Sequence, residues 1–346
     1  MIRIYTDQTI LNQENRSRIF PLFLGLIYKE INDIKNYYTL TTNIKECDVV
    51  IVPLDLEVMY IKYPQILNTL INEAKQNFKK IWVYSGGDFG ITLTDPEITT
   101  FRLGGFNNKY NKKNTIILPC FIEDPYNKYL SNLDYVFYTQ KPIVGFVGHA
   151  NGSYSKYLKE LIINLKQNTY RLLGKNKSDE QKFFPSSIVR YKLLKILEKS
   201  DKITTQFIFR KKYRAGATNE TEKMQSTIEY FNNMYNTAYT LCVRGAGNFS
   251  VRLYETLAVG RIPIIINTHC NFPLDTIIDW NKHALILNFS DKEKLSDSLY
   301  NFHCNFNEVE FIQFQKNNRF LWENYFNYYN YFVTIHNMYT ANKMSF

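Results

Sequence analysis

The chain has 346 residues, 45% hydrophobic and 16% aromatic, enough to build two cored domains and too apolar for a disordered protein. Its formal charge of +10 points to an anionic partner, or to no more than a lysine-covered surface, and no run of eighteen apolar residues marks a membrane span. Five cysteines are scattered without CxxC spacing, and their odd number does not suit a complete disulfide framework; a reducing compartment fits, so a cytoplasmic location is expected.

In chain order, Ile2 to Tyr5 and Val49 to Leu54 read as buried strands, with a helix between them over Phe20 to Ile31. A helix over Ile66 to Phe78 and strands over Ile81 to Tyr84 and Ile116 to Leu118 continue an α/β rhythm. The loop GGDFG, Gly86 to Gly90, then falls at a strand's carboxyl end, where open parallel sheets place ligands. Asp88 is the polar group best placed there, unless it merely caps the turn.

A boundary falls near Gln140 to Pro142, giving units of 1–141 and 142–314. The second opens with the strand Ile143 to Val147 and a glycine-flanked loop containing Gly148 and His149, followed by a helix over Ser155 to Leu165. A strand from Thr204 to Phe209 delivers Arg210, Lys211 and Arg214 to its end, three cations that suit phosphate or a basic surface loop. From Phe311 to Met338 aromatic residues crowd a helical pattern, and the segment 315–346 is expected to pack back on the first unit; contact with a membrane surface is the alternative.

The most informative stretch runs from Arg244 to Thr268. After the strand Tyr239 to Val243, Gly245, Gly247 and Asn248 permit a tight turn. Ser250 stands at an N-cap position, Val251, Tyr254, Leu257 and Ala258 follow at helical spacing, Gly260 ends the helix, and Ile262 to Ile266 resumes a buried strand. A helix N-terminus beside a glycine loop attracts a diphosphate. Arg252 and Glu255, three apart on the face opposite the apolar stripe, can meet phosphate and ribose hydroxyls, or form an ordinary surface pair.

The string R-G-x-G-x-F-S-x-R-x-Y-E-x-L-x-x-G-R-I-P from Arg244 to Pro263 closely resembles the signature of the exostosin-like glycosyltransferases, family 47. IKECDVVIVPL, YSGGDFG, VGFVGHA and FIFRKKYRAG extend the resemblance over most of the chain. It implies a GT-B fold of two Rossmann-like domains facing a central cleft, a UDP-sugar donor, and transfer with inversion to a glycan or glycolipid acceptor, with no metal expected. Peripheral membrane contact fits a lipid-linked acceptor; nucleic acid is not an expected partner. On that basis Gly148, His149, Arg210, Lys211, Arg214, Arg244, Gly245, Gly247, Asn248, Ser250, Arg252 and Glu255 become donor-site candidates. Asp88 becomes the candidate base, with Asp55 and Glu57 as rivals. Animal exostosins are generally membrane-anchored; this N-terminus carries no such segment, which points to a soluble microbial or viral type. A catalytically silent glycan- or partner-binding scaffold is the alternative, and nucleic-acid binding would be motivated by charge alone.

Overall fold

The computed structural model describes residues 1–29, 32–107, 112–211 and 213–341, with the side chains of 32, 112, 213 and 214 outside the description. Two parallel sheets carry the architecture. The first contains β1 (Ile2–Tyr5), β2 (Tyr38–Leu40), β3 (Val49–Asp55), β4 (Lys80–Ser85), β5 (Ile98–Arg102) and β6 (Thr115–Ile117), in the order β2-β1-β3-β4-β5-β6. The second contains β7 (Ile143–His149), β8 (Thr204–Arg210), β9 (Tyr239–Cys242), β10 (Ile262–Asn267) and β11 (Leu285–Asn288), in the order β11-β10-β9-β7-β8. This is the α/β arrangement of the GT-B type expected from the sequence.

The strands follow from composition. β3 and β9 are buried along their whole length, as near-continuous apolar runs must be when helices cover both faces of a parallel sheet. In the first unit a short helix α1 (Pro21–Phe23) continues as a π-helical turn, Leu24–Tyr28. The helix expected over Phe20 to Ile31 is therefore shorter and wider, and Ile31 lies outside the described residues. α2 (Leu56–Lys62) and α3 (Pro64–Gln76) follow β3.

In the second unit lie α4 (Tyr154–Leu172), α5 (Ser186–Glu198), α6 (Glu220–Tyr235), α7 (Val251–Ala258) and α8 (Leu295–Cys304). Gly260 has φ +72°, a left-handed value that ends α7 at the cost of no side chain.

The aromatic C-terminus divides its contacts. α9 (Glu308–Leu321) begins with a capping box made by Asn307 and Glu310 and packs on α7 and β10 of the second unit. Asn318 Nδ2 there donates to the carbonyl oxygens of Arg261 at 2.9 Å and His283 at 3.0 Å. A π-helical turn, Trp322–Phe326, then redirects the chain into α10 (Tyr328–Thr340), which lies on the first unit. Tyr38 Oη donates to the Phe332 carbonyl at 2.7 Å, Tyr331 Oη to that of Ile117 at 2.8 Å, and Tyr339 meets Trp82 edge-on at 5.4 Å. The aromatic rings thus bury area while their hydroxyls satisfy main-chain acceptors.

Candidate functional site

The carboxyl ends of the strands in both sheets converge on one cleft. Loops following β4 and β5 meet loops following β9 and β10. Asn107 N donates to the His269 carbonyl at 3.0 Å, and Phe106 pairs with Cys270 as an isolated bridge. Asn248 joins the loops by donating its Nδ2 to the carbonyls of Gly105 at 2.9 Å and Thr268 at 3.1 Å, while its Oδ1 accepts from Thr268 Oγ1 at 2.5 Å. Both amide hydrogens of this buried side chain are therefore spent on protein carbonyls, and one lone pair of its oxygen remains.

Gly247 packs against the main chain of Asp88 across the cleft. Gly245 faces open space on its side-chain side, and its N–H donates to the Phe249 carbonyl at 3.4 Å. Ser250 takes extended angles, φ −137° and ψ 119°, in the N-cap position of α7, but its hydroxyl makes no capping bond. The first-turn amides of α7 therefore lack a side-chain cap, and an anion could take that place.

Arg244 is buried beside this turn. Its guanidinium stacks over Phe184 at 4.5 Å and Phe106 at 5.2 Å, and it donates to Ala246 O at 3.2 Å and Gln181 Oε1 at 3.3 Å. Burial pushes its pKa down to about 10, with Cys270 and Asp88 opposing. Asp88 itself is exposed at the cleft mouth. Desolvation raises its carboxyl above the ordinary value, and the Arg244 charge pulls it back.

A second cluster lies below the end of β7. Gly148 has φ +157°, and a Cβ there would stand 3.0 Å from Arg252 Nη2. Arg252 donates from Nη2 to the Val147 carbonyl at 3.1 Å and stacks over Phe146 at 4.6 Å. Glu255 accepts from Tyr230 Oη at 2.5 Å, and burial raises its pKa despite that bond and the nearby Arg252. The sequence reading put Arg252 and Glu255 on a face opposite the apolar stripe; the correction is that α6 and β7 cover this face as well. His149 pairs through Nδ1 with the Arg210 carbonyl at 3.1 Å, and its own carbonyl accepts from Arg190 Nη1 at 2.8 Å.

Arg190 carried no sequence signal, because within SSIVRYKLLKIL it reads as a helix-surface cation. Burial and the like charge of Arg252 push its pKa down to about 10. The buried Nε atoms of both Arg190 and Arg252 have no hydrogen-bond partner among the described residues. Two neighbouring guanidiniums thus each keep a buried Nε–H without a partner beside a glycine turn and a helix start.

The cations after β8 do not join them as expected. Arg210 lies on an edge strand and turns toward α6, donating from Nη2 to Ser226 O at 2.7 Å and Glu229 Oε2 at 2.5 Å. The Glu229 carboxylate offsets the charge that the sequence reading offered to phosphate, while the buried Nε of Arg210, like those of Arg190 and Arg252, has no hydrogen-bond partner among the described residues. Lys211 is exposed, and the Arg214 side chain lies outside the described residues.

Of the rival bases, Asp55 is buried and committed. Its Oδ1 accepts from Glu57 N at 2.8 Å to cap α2, and Oδ2 accepts from Gly86 N at 2.6 Å. Glu57 is exposed and shares with Asp88, Gln167, Asn176 and Ser178 a cavity of about 200 Å³. The loop between α4 and α5, also missed in the sequence, straps the units together. Asp179 accepts from Thr92 N at 2.8 Å and Arg102 Nη2 at 3.0 Å. Among the described residues no group of three His, Cys, Asp or Glu side chains could hold a metal ion, and no helix is long and apolar enough to cross a membrane.

Solved structures resemble the chain distantly. A glycosyltransferase from Rickettsia africae ESF-5 is 9% identical, with 96% of this chain and 97% of that one covered and a TM-score of 0.39. TarM is 11% identical over 84% of this chain, which spans about half of TarM (54%), with a TM-score of 0.36. An alpha-glucosyltransferase, in complex with UDP-glucose and DNA containing an abasic site, is 11% identical over 98% and 99% of the two chains, also at 0.36. No curated protein matches the sequence. The family model described as the exostosin GT47 domain, by contrast, matches residues 25–300, and the chain accordingly belongs to the exostosin GT47 family of glycosyltransferases.

Proposed function

We propose that this chain is an inverting glycosyltransferase that moves a sugar from a UDP-sugar to a glycan or glycolipid acceptor. The observation that carries the reading is the pair of buried guanidiniums, Arg190 and Arg252, with unpartnered Nε–H groups beside the Gly148 loop and the uncapped start of α7. A buried N–H without an acceptor is costly, and the oxygens of a diphosphate would satisfy both. In this reading residues 142–314 hold the donor, residues 1–141 the acceptor, and Glu255 accepts hydrogen bonds from the ribose hydroxyls after exchanging its Tyr230 contact.

The chemistry follows from inversion. Asp88 takes the proton of the acceptor hydroxyl as that oxygen attacks the anomeric carbon. The bond from that carbon to the β-phosphate oxygen breaks on the opposite face, and the electron pair leaves with UDP. Arg190, Arg252, Arg244 and the α7 amides stabilise the departing charge, so no resident metal is required.

A panel of UDP-sugars tested by thermal shift and by turnover decides the matter, since a ligand that binds only the native state raises its melting temperature with concentration. One UDP-sugar should stabilise the protein and be consumed when acceptor is added. Absence of any shift with UDP and every UDP-sugar would refute the donor assignment, while binding without turnover would favour a silent scaffold.

A further inference from the structure

α4 is amphipathic in the wrong sense for a globular helix. At 100° per residue, Tyr154, Leu158, Ile162, Leu165 and Leu172 fall within a stripe of about 80°. That stripe faces solvent: Ile162 is 64% exposed, Leu165 57% and Leu172 88%. No residue of the helix is buried. The polar face looks inward instead. Gln167 lines the Asp88 cavity and accepts from Asn176 Nδ2 at 2.9 Å, and Arg171 donates to the Ser178 carbonyl at 3.0 Å while stacking over Phe89 at 4.8 Å. The helix therefore leaves the second unit after β7 and ends against the first, across the cleft mouth.

The charge around the stripe indicates its occupant. Residues 154–177 contain six basic side chains and one acidic, Glu160, which pairs with Lys156. Lys159 and Lys166 are exposed beside the apolar stripe, where long stems can lie along acyl chains while the ammonium groups meet headgroups. Two copies of this face would confront like charges, which disfavours self-association.

We propose that the outward face of α4 binds the surface of a bilayer containing anionic lipid, placing the cleft mouth at that surface. Taken with the glycosyltransferase reading, on which this consequence rests, the acceptor is a lipid-linked glycan. Apolar side chains enter the boundary between headgroups and acyl chains, and the flanking lysines add electrostatic attraction that depends on anionic lipid.

Co-sedimentation of the full chain with phosphatidylcholine vesicles, with and without phosphatidylglycerol, tests the contact. The protein should partition onto the anionic vesicles, and salt should release it. The variant Leu158→Gln/Ile162→Gln/Leu165→Gln should lower the partition coefficient at least ~10-fold with an unchanged melting temperature, since these side chains are exposed. Lys159→Glu/Lys166→Glu should weaken binding to anionic vesicles alone. The idea is overturned if the wild type stays in the supernatant or if the triple variant binds as well as the wild type. It is equally overturned if sedimentation velocity reveals a dimer that the triple variant abolishes, making α4 a protein interface. Vesicle binding is read without turnover, so loss of the contact in a protein that still binds UDP leaves the donor reading standing, and the reverse result leaves the membrane face standing.

Discussion

Gly247 and Asp88, from loops of different sheets, lie in direct main-chain contact: a Cβ on Gly247 would run into the Asp88 carbonyl oxygen and stand 3.0 Å from its Cα. The glycine is needed for space, because its φ lies outside the left-handed region. Gly247→Ala must push the two loops apart. A misplacement near 1 Å costs about 10²-fold in rate when it separates catalytic groups, so turnover should fall by about that factor while UDP affinity changes little. Steady-state kinetics beside calorimetry checks the split, and unaltered turnover would show that the loops need not meet.

Glu255→Ala should weaken UDP binding by about 1.5 to 3 kcal/mol, the scale of charge-assisted hydrogen bonds, and leave the fold intact. Tyr230→Phe, which removes only the hydroxyl now bound to Glu255, should cost little or improve affinity. Titration calorimetry with UDP separates the two; an unchanged dissociation constant in a folded Glu255→Ala protein removes this carboxylate from the donor site.

Asp88→Asn should lower turnover by roughly 10²- to 10⁴-fold without weakening UDP, the worth of general-base catalysis. The pH profile carries the sign. A base must be deprotonated, so kcat/KM falls as pH drops through the Asp88 pKa, which desolvation holds above the ordinary value while Arg244 pulls it down. Arg244→Ala removes the opposing charge and should move the acidic limb to higher pH. Near-normal activity in Asp88→Asn transfers the role, with Glu57→Gln the next variant to assay.

Activity should survive EDTA, since arginines and a helix start are assigned to the leaving group. Abolition by chelation with recovery on adding manganese would overturn this division of labour.

Asp179→Ala should destabilise the protein on the order of 3 kcal/mol, because it removes the carboxylate that accepts from Thr92 N, Thr92 Oγ1 and Arg102 Nη2 across the units. Urea unfolding monitored by tryptophan fluorescence measures the loss. A change below about 0.5 kcal/mol would mean that the strap between the units contributes little.

Much of the fold was legible because its signals are local. From Tyr239 to Asn267 the alternation of apolar runs, glycines and helical spacing fixes strand, turn, helix and strand wherever the segment sits, and the structure contains β9, α7 and β10 there. β2, β5 and β11 escaped notice: YTL is three residues long and LILN four, and ITTFR is too polar to read as buried although every residue of it is. Their burial comes from neighbouring strands and covering elements, which a local pattern does not name.

By itself, then, the sequence determined the α/β rhythm and the glycine turn with its adjoining helix, since chain-local sterics and periodicity dictate these, and the Arg244–Pro263 string carried the likeness to the family. Tertiary structure alone decided which polar groups remain free for a ligand. It committed Asn248 to Gly105, 143 positions away, and turned Arg210 onto Glu229. It also brought Arg190 beside Arg252 and left the apolar stripe of α4 outside. Periodicity states which side chains share a face; what that face meets depends on partners distant in the chain, and hydrogen-bond donors and charges are satisfied or left open only once those partners arrive.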